Sequence, residues 1–280
     1  MSYKTVVVHC NDKRRVARVA TVAAELASRF SAHLIGLSVS PRVRLIPAGM
    51  PGTPDVIVDD AQRVAYRKDN PELRQAFLQT SQAHGVEAEW RERDADSASL
   101  TATVLTTARR ADVVVLAQKD HTWPHSAYLD VDDAVIMGVG RPVLLVPNDG
   151  LNSAAAKRVL IAWSDTREAS RAVFDALPLL QQAEDVRVVS VSDDTPVPGL
   201  DDPDLDICTT LHRHNIKCKS TEHIAAHVDV GRSLTQQAIA HRADLLVMGC
   251  YGHSRLSEFV LGGASRYQLR HMMIPIFMSH

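Results

Sequence analysis

A short apolar run followed by four glycines is the part of this sequence whose residue types and spacing best suit chemistry. The run 244–248 leads into Gly249, and Gly252, Gly262 and Gly263 follow. Because glycine has no Cβ, nearby backbone N–H groups can approach an anion closely, and a glycine pair that opens a helix supplies further free donors. The spacing Gly-x2-Gly-x9-Gly predicts a cradle for the phosphates of a nucleotide, with a simple tight turn as the alternative interpretation.

This spacing, placed after a buried strand, resembles the nucleotide-binding branch of the universal stress proteins. In that family Ser or Thr follows the last glycine and its hydroxyl contacts a phosphate, whereas here Gly263, Ala264 and Ser265 follow Gly262. Two alternatives replace that hydroxyl contact. Either Ser265 supplies the hydroxyl, or backbone N–H groups alone bind the phosphate. The resemblance implies ATP or a related adenine nucleotide as the cofactor, with or without Mg, and leaves the number of phosphates open.

Residues at other strand ends of the second half also correspond to positions of the family's nucleotide site. The family's Asp that meets the adenosine corresponds to Ser164, and Asp165 stands beside it. Val191 corresponds to a position whose backbone contacts adenine, a role that does not depend on the side chain. Arg255 lies inside the glycine segment, where its cation either contacts a phosphate or faces water.

Composition narrows the classes of partner. The chain has 280 residues with 45% hydrophobic content, and 31 Lys and Arg nearly balance 33 Asp and Glu. No broad basic field favours nucleic acid or a membrane surface, and no apolar run has the length of a membrane span or a signal peptide. The widely spaced Cys10, Cys208, Cys218 and Cys250 are typical of reduced thiols. We therefore expect a cytoplasmic protein without structural disulfides.

The predicted order of strands and helices occurs twice along the chain. The matched segments are 6–12 with 159–165, 16–30 with 168–180, 33–39 with 185–191, 111–116 with 243–248, and 141–146 with 274–279. Apolar strands that alternate with amphipathic helices indicate parallel sheets covered on both faces. The sequence thus predicts an α/β protein of two doubly wound, Rossmann-like domains in tandem, at residues 1–148 and 157–280, joined by a polar linker.

The resemblance extends this description of the fold. It implies that each domain is of the adenine nucleotide alpha hydrolase-like type and that the final strands of the two halves pair as an internal pseudo-dimer. Whether the tandem forms a further homodimer stays open. The first half has about 21 extra residues, which we place within 41–70 as an inserted loop or flap because prolines mark turns there.

The first half lacks the glycines of the candidate cradle. Its fourth predicted strand is followed instead by a segment that ends in Asp130, Asp132 and Asp133. Carboxylates repel phosphate, although they also suit a helix N-terminus for purely structural reasons. We expect one nucleotide site per chain, in the second half.

One segment of the second half contains histidines and cysteines that could form a metal site. His212, His214, His223 and His227 share one segment with two of the cysteines, and both residue types bind zinc. Their spacing does not place them on one face of a helix, so the preferred interpretation is that they bind no metal.

No motif identifies a catalytic base, because the chain has no Walker loop, zinc-protease helix or nucleophile elbow. The first hypothesis is a stress-response protein in which a bound nucleotide changes the surface offered to a partner protein. A nucleotide-free tandem adaptor and a weak ATPase are the two alternatives.

Overall fold

The computed structural model describes residues 2–41, 60–95, 100–122, 126, 130–192, 206–219, 221–225, 229–250 and 263–280, with only the backbone described at 60–66, 192 and 223–225. Strands and helices alternate through these residues. The strands are β1 Thr5–His9, β2 His33–Ser40, β3 Ala88–Asp94, β4 Val113–Ala117, β5 Val143–Val146, β6 Arg158–Ala162, β7 Asp185–Ser192, β8 Glu222–Ala225, β9 Leu245–Gly249 and β10 Ile276–Ser279. The helices are α1 Val16–Phe30, α2 Asp60–Ala83, α3 Leu100–Ala108, α4 Asp132–Gly138, α5 Arg167–Asp175, α6 Leu177–Leu180, α7 Ile207–Arg213, α8 Val230–His241 and α9 Gly263–His271.

All ten strands form one sheet in the order β3-β2-β1-β4-β5-β10-β9-β6-β7-β8. Neighbouring strands are parallel except β5 and β10, which run antiparallel with Phe277 opposite Leu144. Each half therefore repeats the same doubly wound order on its own side of this antiparallel pair. The predicted α/β class and the tandem of parallel sheets are confirmed, and the final strands of the two halves are paired.

The central strands of the sheet are buried on both faces, which explains why they are continuously apolar. Alternate residues of a strand point to opposite faces, so Val6 and Val8 pack in one apolar core and Val7 packs in the other. Helices α1, α2, α5, α6 and α7 cover the first face, while α3, α4, α8 and α9 cover the second. None of the described helices is long and apolar enough to cross a membrane.

The segment that joins the two halves is held against α1. Arg18 donates from Nε to the Pro147 carbonyl and from Nη2 to the Gly150 carbonyl, both at 2.6 Å. Glu25 accepts from Ser153 Oγ at 2.8 Å and from the Ala154 N–H at 2.7 Å. The polar linker of the sequence is thus a fixed part of the structure.

The prediction of an inserted loop at 41–70 is wrong for its last part. Residues 60–70 belong to α2, which has 24 residues, whereas its counterpart α7 has seven. Much of the extra length of the first half is therefore additional helix. Residues 42–59 lie outside the described residues.

The single helix predicted over 168–180 is also wrong, because it is divided into α5 and α6 at Ala176. Pro178 lies in the first turn of α6. Proline has no N–H to donate and its ring crowds the preceding turn, so a new helix starts there more readily than an old one continues.

Candidate functional site

The strand order reverses between β6 and β9 in the second half. From β6 the chain proceeds outward to β7 and β8, and then returns to place β9 and β10 on the other side. Parallel sheets of this kind bind ligands in the crevice beyond the carboxyl ends of the strands at such a reversal. Ala162 of β6 lies beside Met248 of β9, so the segments that follow these residues flank one crevice.

Ser164 and Asp165 line one side of this crevice, directly after β6. Both are exposed, and the Ser164 hydroxyl lies 3.2 Å from Thr166 Oγ1. Thr166 caps α5 by accepting a hydrogen bond from the Ala169 N–H at 3.3 Å. The predicted adenosine contacts are therefore at the mouth of the crevice, on a turn that the helix cap fixes.

Gly249 closes the other side of the crevice at the end of β9. A Cβ on this residue would lie 2.4 Å from the Ala169 nitrogen and 2.6 Å from the Glu168 carbonyl carbon. Glycine is thus needed here so that the strand end can pack against the first turn of α5, whether or not a ligand is bound. The sequence pattern predicted phosphate binding or a tight turn at this residue, and the packing contact was not predicted.

Helix α9 begins at Gly263 and is anchored to α8. Gly263 is exposed and a Cβ there would meet open space among the described residues, whereas Ser265 is buried and Ala264 is half-buried. Gln268 fixes the helix to α8 by donating to the Gly231 carbonyl at 2.7 Å. The first turn has no acidic residue, so its free N–H groups suit an anion. Gly252, Arg255 and Gly262 lie outside the described residues.

The N-terminus of α5 is less suited to an anion than that of α9. The carboxylate of Glu168 stands in its first turn, buried and paired with Arg167 at 2.9 Å. A carboxylate at this position already occupies the positive end of the helix dipole. Of these two helices, α9 is the one whose first turn has no acidic residue.

Val191 lies on β7 beyond the last residue that pairs with β6. The Val189 carbonyl accepts from the Trp163 N–H at 2.8 Å, so the backbone groups of Val189 point towards β6. Alternate residues of a strand direct their backbone groups to the same side. The N–H and C=O of Val191 therefore also point to the β6 side, over the candidate crevice, as a backbone contact with a base requires.

The matching crevice of the first half, between β1 and β4, is filled by the side chain of Arg15. Its Nε donates to Asp12 at 2.9 Å, its Nη1 to the Gln118 carbonyl at 2.7 Å, and its Nη2 to Asp130 at 2.8 Å. Asp130 also accepts from Ser126 Oγ at 2.8 Å. The side chains of Asp12, Arg15 and Asp130 are all less than a tenth exposed.

Asp130 follows the end of β4 by the same number of residues as Gly262 follows the end of β9. A carboxylate paired with arginine thus stands in the first half where the second half has a glycine. A cavity of about 10 Å³ lies nearby, lined by residues that include His9 and Asp132. That volume holds about one water molecule, far less than a nucleotide needs, in the part of the crevice that the structure describes.

Two buried titratable groups border this small cavity. Burial, with the nearby Asp133 and Asp130 carboxylates, raises the pKa of Asp132 to about 7. Burial lowers the pKa of His9 to about 4, and its Nε2 has no hydrogen-bond partner among the described residues. Both groups are therefore uncharged over part of the pH range where they are ordinarily ionised.

The histidine and cysteine segment does not gather into a metal centre among the described residues, which contain no group of three or more potential ligands. The His212 ring instead lies 2.6 Å from the Cys218 carbonyl oxygen. His223 is in β8, and His227 lies outside the described residues.

Comparison with known proteins gives a family for the second half. Residues 155–280 match the model of the universal stress protein family. No curated protein matches the chain in sequence.

Solved structures share the fold of the whole chain. A universal stress protein from Archaeoglobus fulgidus is 14% identical in sequence and superposes with a TM-score of 0.72. The match covers 98% of this chain and 94% of the Archaeoglobus protein. A protein of unknown function from Pseudomonas aeruginosa is also 14% identical, with 98% and 92% coverage and a TM-score of 0.55. A universal stress protein solved in complex with cAMP is 19% identical, with a TM-score of 0.35. That match covers 52% of this chain and 98% of the cAMP-bound protein. That last likeness is too weak to assign a ligand here.

Proposed function

Since residues 155–280 match the universal stress protein family model, we propose that this protein binds an adenine nucleotide, and ATP first of all, in the crevice between β6 and β9. The observation that carries the proposal is the difference between the two halves of one repeated fold. The first-half crevice holds Arg15 bonded to Asp130. The second-half crevice is bordered by a capped turn, a strand end without a side chain and a helix start without an acid.

The proposed pose follows from the chemistry of these borders. The phosphates lie at the N-terminus of α9 and along the glycine segment, where backbone N–H groups donate to the anion. The base lies towards β7, where the backbone of Val191 offers a donor and an acceptor. Ser164 and Asp165 face the ribose between them, since hydroxyl and carboxylate oxygens accept hydrogen bonds from sugar hydroxyls.

We assign the protein a regulatory role rather than a catalytic one. Among the described residues beside the crevice, the buried carboxylate is Glu168, and it is paired with Arg167. Ordering of the glycine segment by a bound nucleotide would change the surface next to α9, because a ligand favours the conformation that it binds best. In this proposal domains 1–148 and 157–280 act in the cytoplasm, and the first serves as the structural partner of the second.

Nucleotide binding is tested first on the purified full chain. Mass spectrometry of the small molecules released on denaturation identifies a retained nucleotide, and calorimetry then measures ATP and AMP binding to the emptied protein. Gly252→Asp should weaken ATP binding about tenfold or more, since a carboxylate within about 4 Å of a phosphate costs ~1–4 kcal/mol.

His121→Asp is the matched control, because it adds a carboxylate to the exposed segment after β4 in the first half. It should leave the affinity unchanged. A protein that retains no nucleotide and gives no heat with either one would instead favour the tandem adaptor.

The regulatory role has a separate test. Hydrogen exchange of residues 249–265 should slow when ATP is saturating, because N–H groups that donate to a phosphate exchange more slowly. An exchange rate that ATP leaves unaltered, in a protein that calorimetry shows to be saturated, would rule out this mechanism while leaving binding intact.

A further inference from the structure

Two of the four cysteines lie against each other at the outer edge of the second half. Cys208 is buried in the first turn of α7, and Cys218 is half-buried on the segment between α7 and β8. The Cys218 thiol donates a hydrogen bond to the Cys208 carbonyl oxygen, with 3.9 Å between the sulfur and that oxygen. The sequence, in which nine residues separate them, gave no sign of this contact.

The backbone around both thiols is fixed by one acidic residue. Asp206 caps α7 by accepting from the Cys208 N–H at 2.9 Å, and it also accepts from the Thr221 N–H at 3.0 Å and the Thr221 hydroxyl at 2.7 Å. Cys218 itself is bridged to Val186 at the start of β7. The segments that carry the two sulfurs are thus held together before any bond forms between them.

The two thiols differ in reactivity. The hydrogen bond from Cys208 lowers the pKa of Cys218, whereas the same hydrogen bond and burial raise the pKa of Cys208. The thiolate is the nucleophilic form of cysteine. Cys218, which is also the more exposed of the two, is therefore the sulfur that reacts first.

We propose that Cys208 and Cys218 are a redox modification site that a hydroperoxide converts reversibly into a disulfide. The Cys218 thiolate attacks one peroxide oxygen, the O–O bond breaks, and the alkoxide or hydroxide leaves with the electron pair and takes up a proton. Cys218 is then a sulfenic acid. The Cys208 sulfur attacks it, the S–O bond breaks, and water leaves with the Cys208 proton as the S–S bond forms. Two thiols are oxidised and one peroxide is reduced to alcohol and water, and an external dithiol restores the thiols.

The test treats the full chain with hydrogen peroxide and follows the intact mass. The expected product has lost the mass of two hydrogen atoms, and dithiothreitol restores it. Trypsin cuts after Arg213 and Lys217, between the two cysteines, so their peptides remain joined only if the disulfide holds them. If all four thiols can still be alkylated when the peroxide-treated protein is unfolded, the proposal is overturned.

Single variants separate the two roles. Cys208→Ser should stop the reaction at a sulfenic acid on residue 218 that dimedone traps, whereas Cys218→Ser should give no trapped product at residue 208. Cys10→Ser is the control, because Cys10 is fully buried and burial raises its pKa, and this variant should form the disulfide as the wild type does. If a serine variant fails to fold, the peptide map of the wild type still decides, since a disulfide between any other pair contradicts the assignment.

Discussion

At the scale of single residues, two glycines of the same segment serve different purposes. A Cβ added to Gly249 would clash with the backbone of α5, whereas a Cβ added to Gly263 would meet none of the described residues. Gly249→Ala should therefore destabilise the protein by about 1–3 kcal/mol through overpacking. Gly263→Ala is the matched control and should leave stability unchanged or raise it by up to ~1 kcal/mol. Urea denaturation measures both, and equal effects of the two variants would contradict this distinction.

Gly263 also stands where the resemblance places a phosphate-binding hydroxyl. Gly263→Ser should raise the affinity for ATP by about tenfold, because a hydrogen bond to a charged group contributes ~1.5–3 kcal/mol. Gly263→Ala separates the effect of the hydroxyl from that of the added carbon. Calorimetry that finds both variants alike would show that no phosphate comes within reach of this position.

Asp132 makes stability depend on pH. Its pKa is raised from 3.8 to about 7 in the folded protein, so the folded state keeps a proton that the unfolded state has lost. Stability is therefore lost as the pH rises from about 4 to about 7. Asp132→Asn removes this loss and should stabilise more at pH 8 than at pH 5, by about 2–3 kcal/mol. Urea denaturation at both values is the measurement, and the same gain at each pH would exclude the effect.

At the scale of secondary structure, periodicity predicted the elements well. Helix α1 begins and ends where its apolar spacing predicts, and β2 and β7 extend the predicted strands by one residue. Buried apolar faces set these elements, and such faces are visible in the sequence. The length of α2 was not predicted, because its first residues carry no strong apolar period and follow a segment rich in proline.

Arg15 shows what the sequence could not reveal about the site. Arg15 lies one residue before α1, and from the sequence alone it would be interpreted as a charged residue in an exposed turn. Its partners Gln118 and Asp130 are more than a hundred residues away in the chain and meet it only because β1 and β4 are neighbours. The acidic residues alone predicted a first half that repels phosphate, but the pairing of Asp130 with Arg15 could be found only from the topology.

The ion pairs of Arg15 should matter more than those of the nearby Lys13. Arg15→Met leaves the buried Asp130 without its cation and should cost about 3–5 kcal/mol of stability. Lys13→Met is the control, since the ion pairs of Lys13 with Asp69 and Glu72 lie at the surface and such pairs contribute ~0–1 kcal/mol. Asp130→Asn combined with Arg15→Met should recover part of the loss. Thermal unfolding checks all three, and equal losses for the two single variants would be the contrary result.

At the scale of the whole molecule, the pairing of β5 with β10 makes one sheet of two halves. Residues 155–280 produced alone would expose the edge of β10, which is buried in the full chain. Since an antiparallel pair of identical strands satisfies a two-fold axis, the isolated half should dimerise through β10. Light scattering after size-exclusion chromatography gives the mass, with the full chain as reference. A stable monomer with native circular dichroism would mean that the β5 partner is dispensable.

The same pairing has a consequence for synthesis on the ribosome. When β5 has been made, its partner β10 lies about 130 residues further along the chain, which is roughly ten seconds of translation. During that interval the emerging first half presents Val143–Val146, four apolar residues, as an open strand edge. Such an edge pairs readily with other chains. The nascent protein thus passes through a period of vulnerability to aggregation that ends only when its middle strands meet, and chaperone dependence should be greatest in that interval.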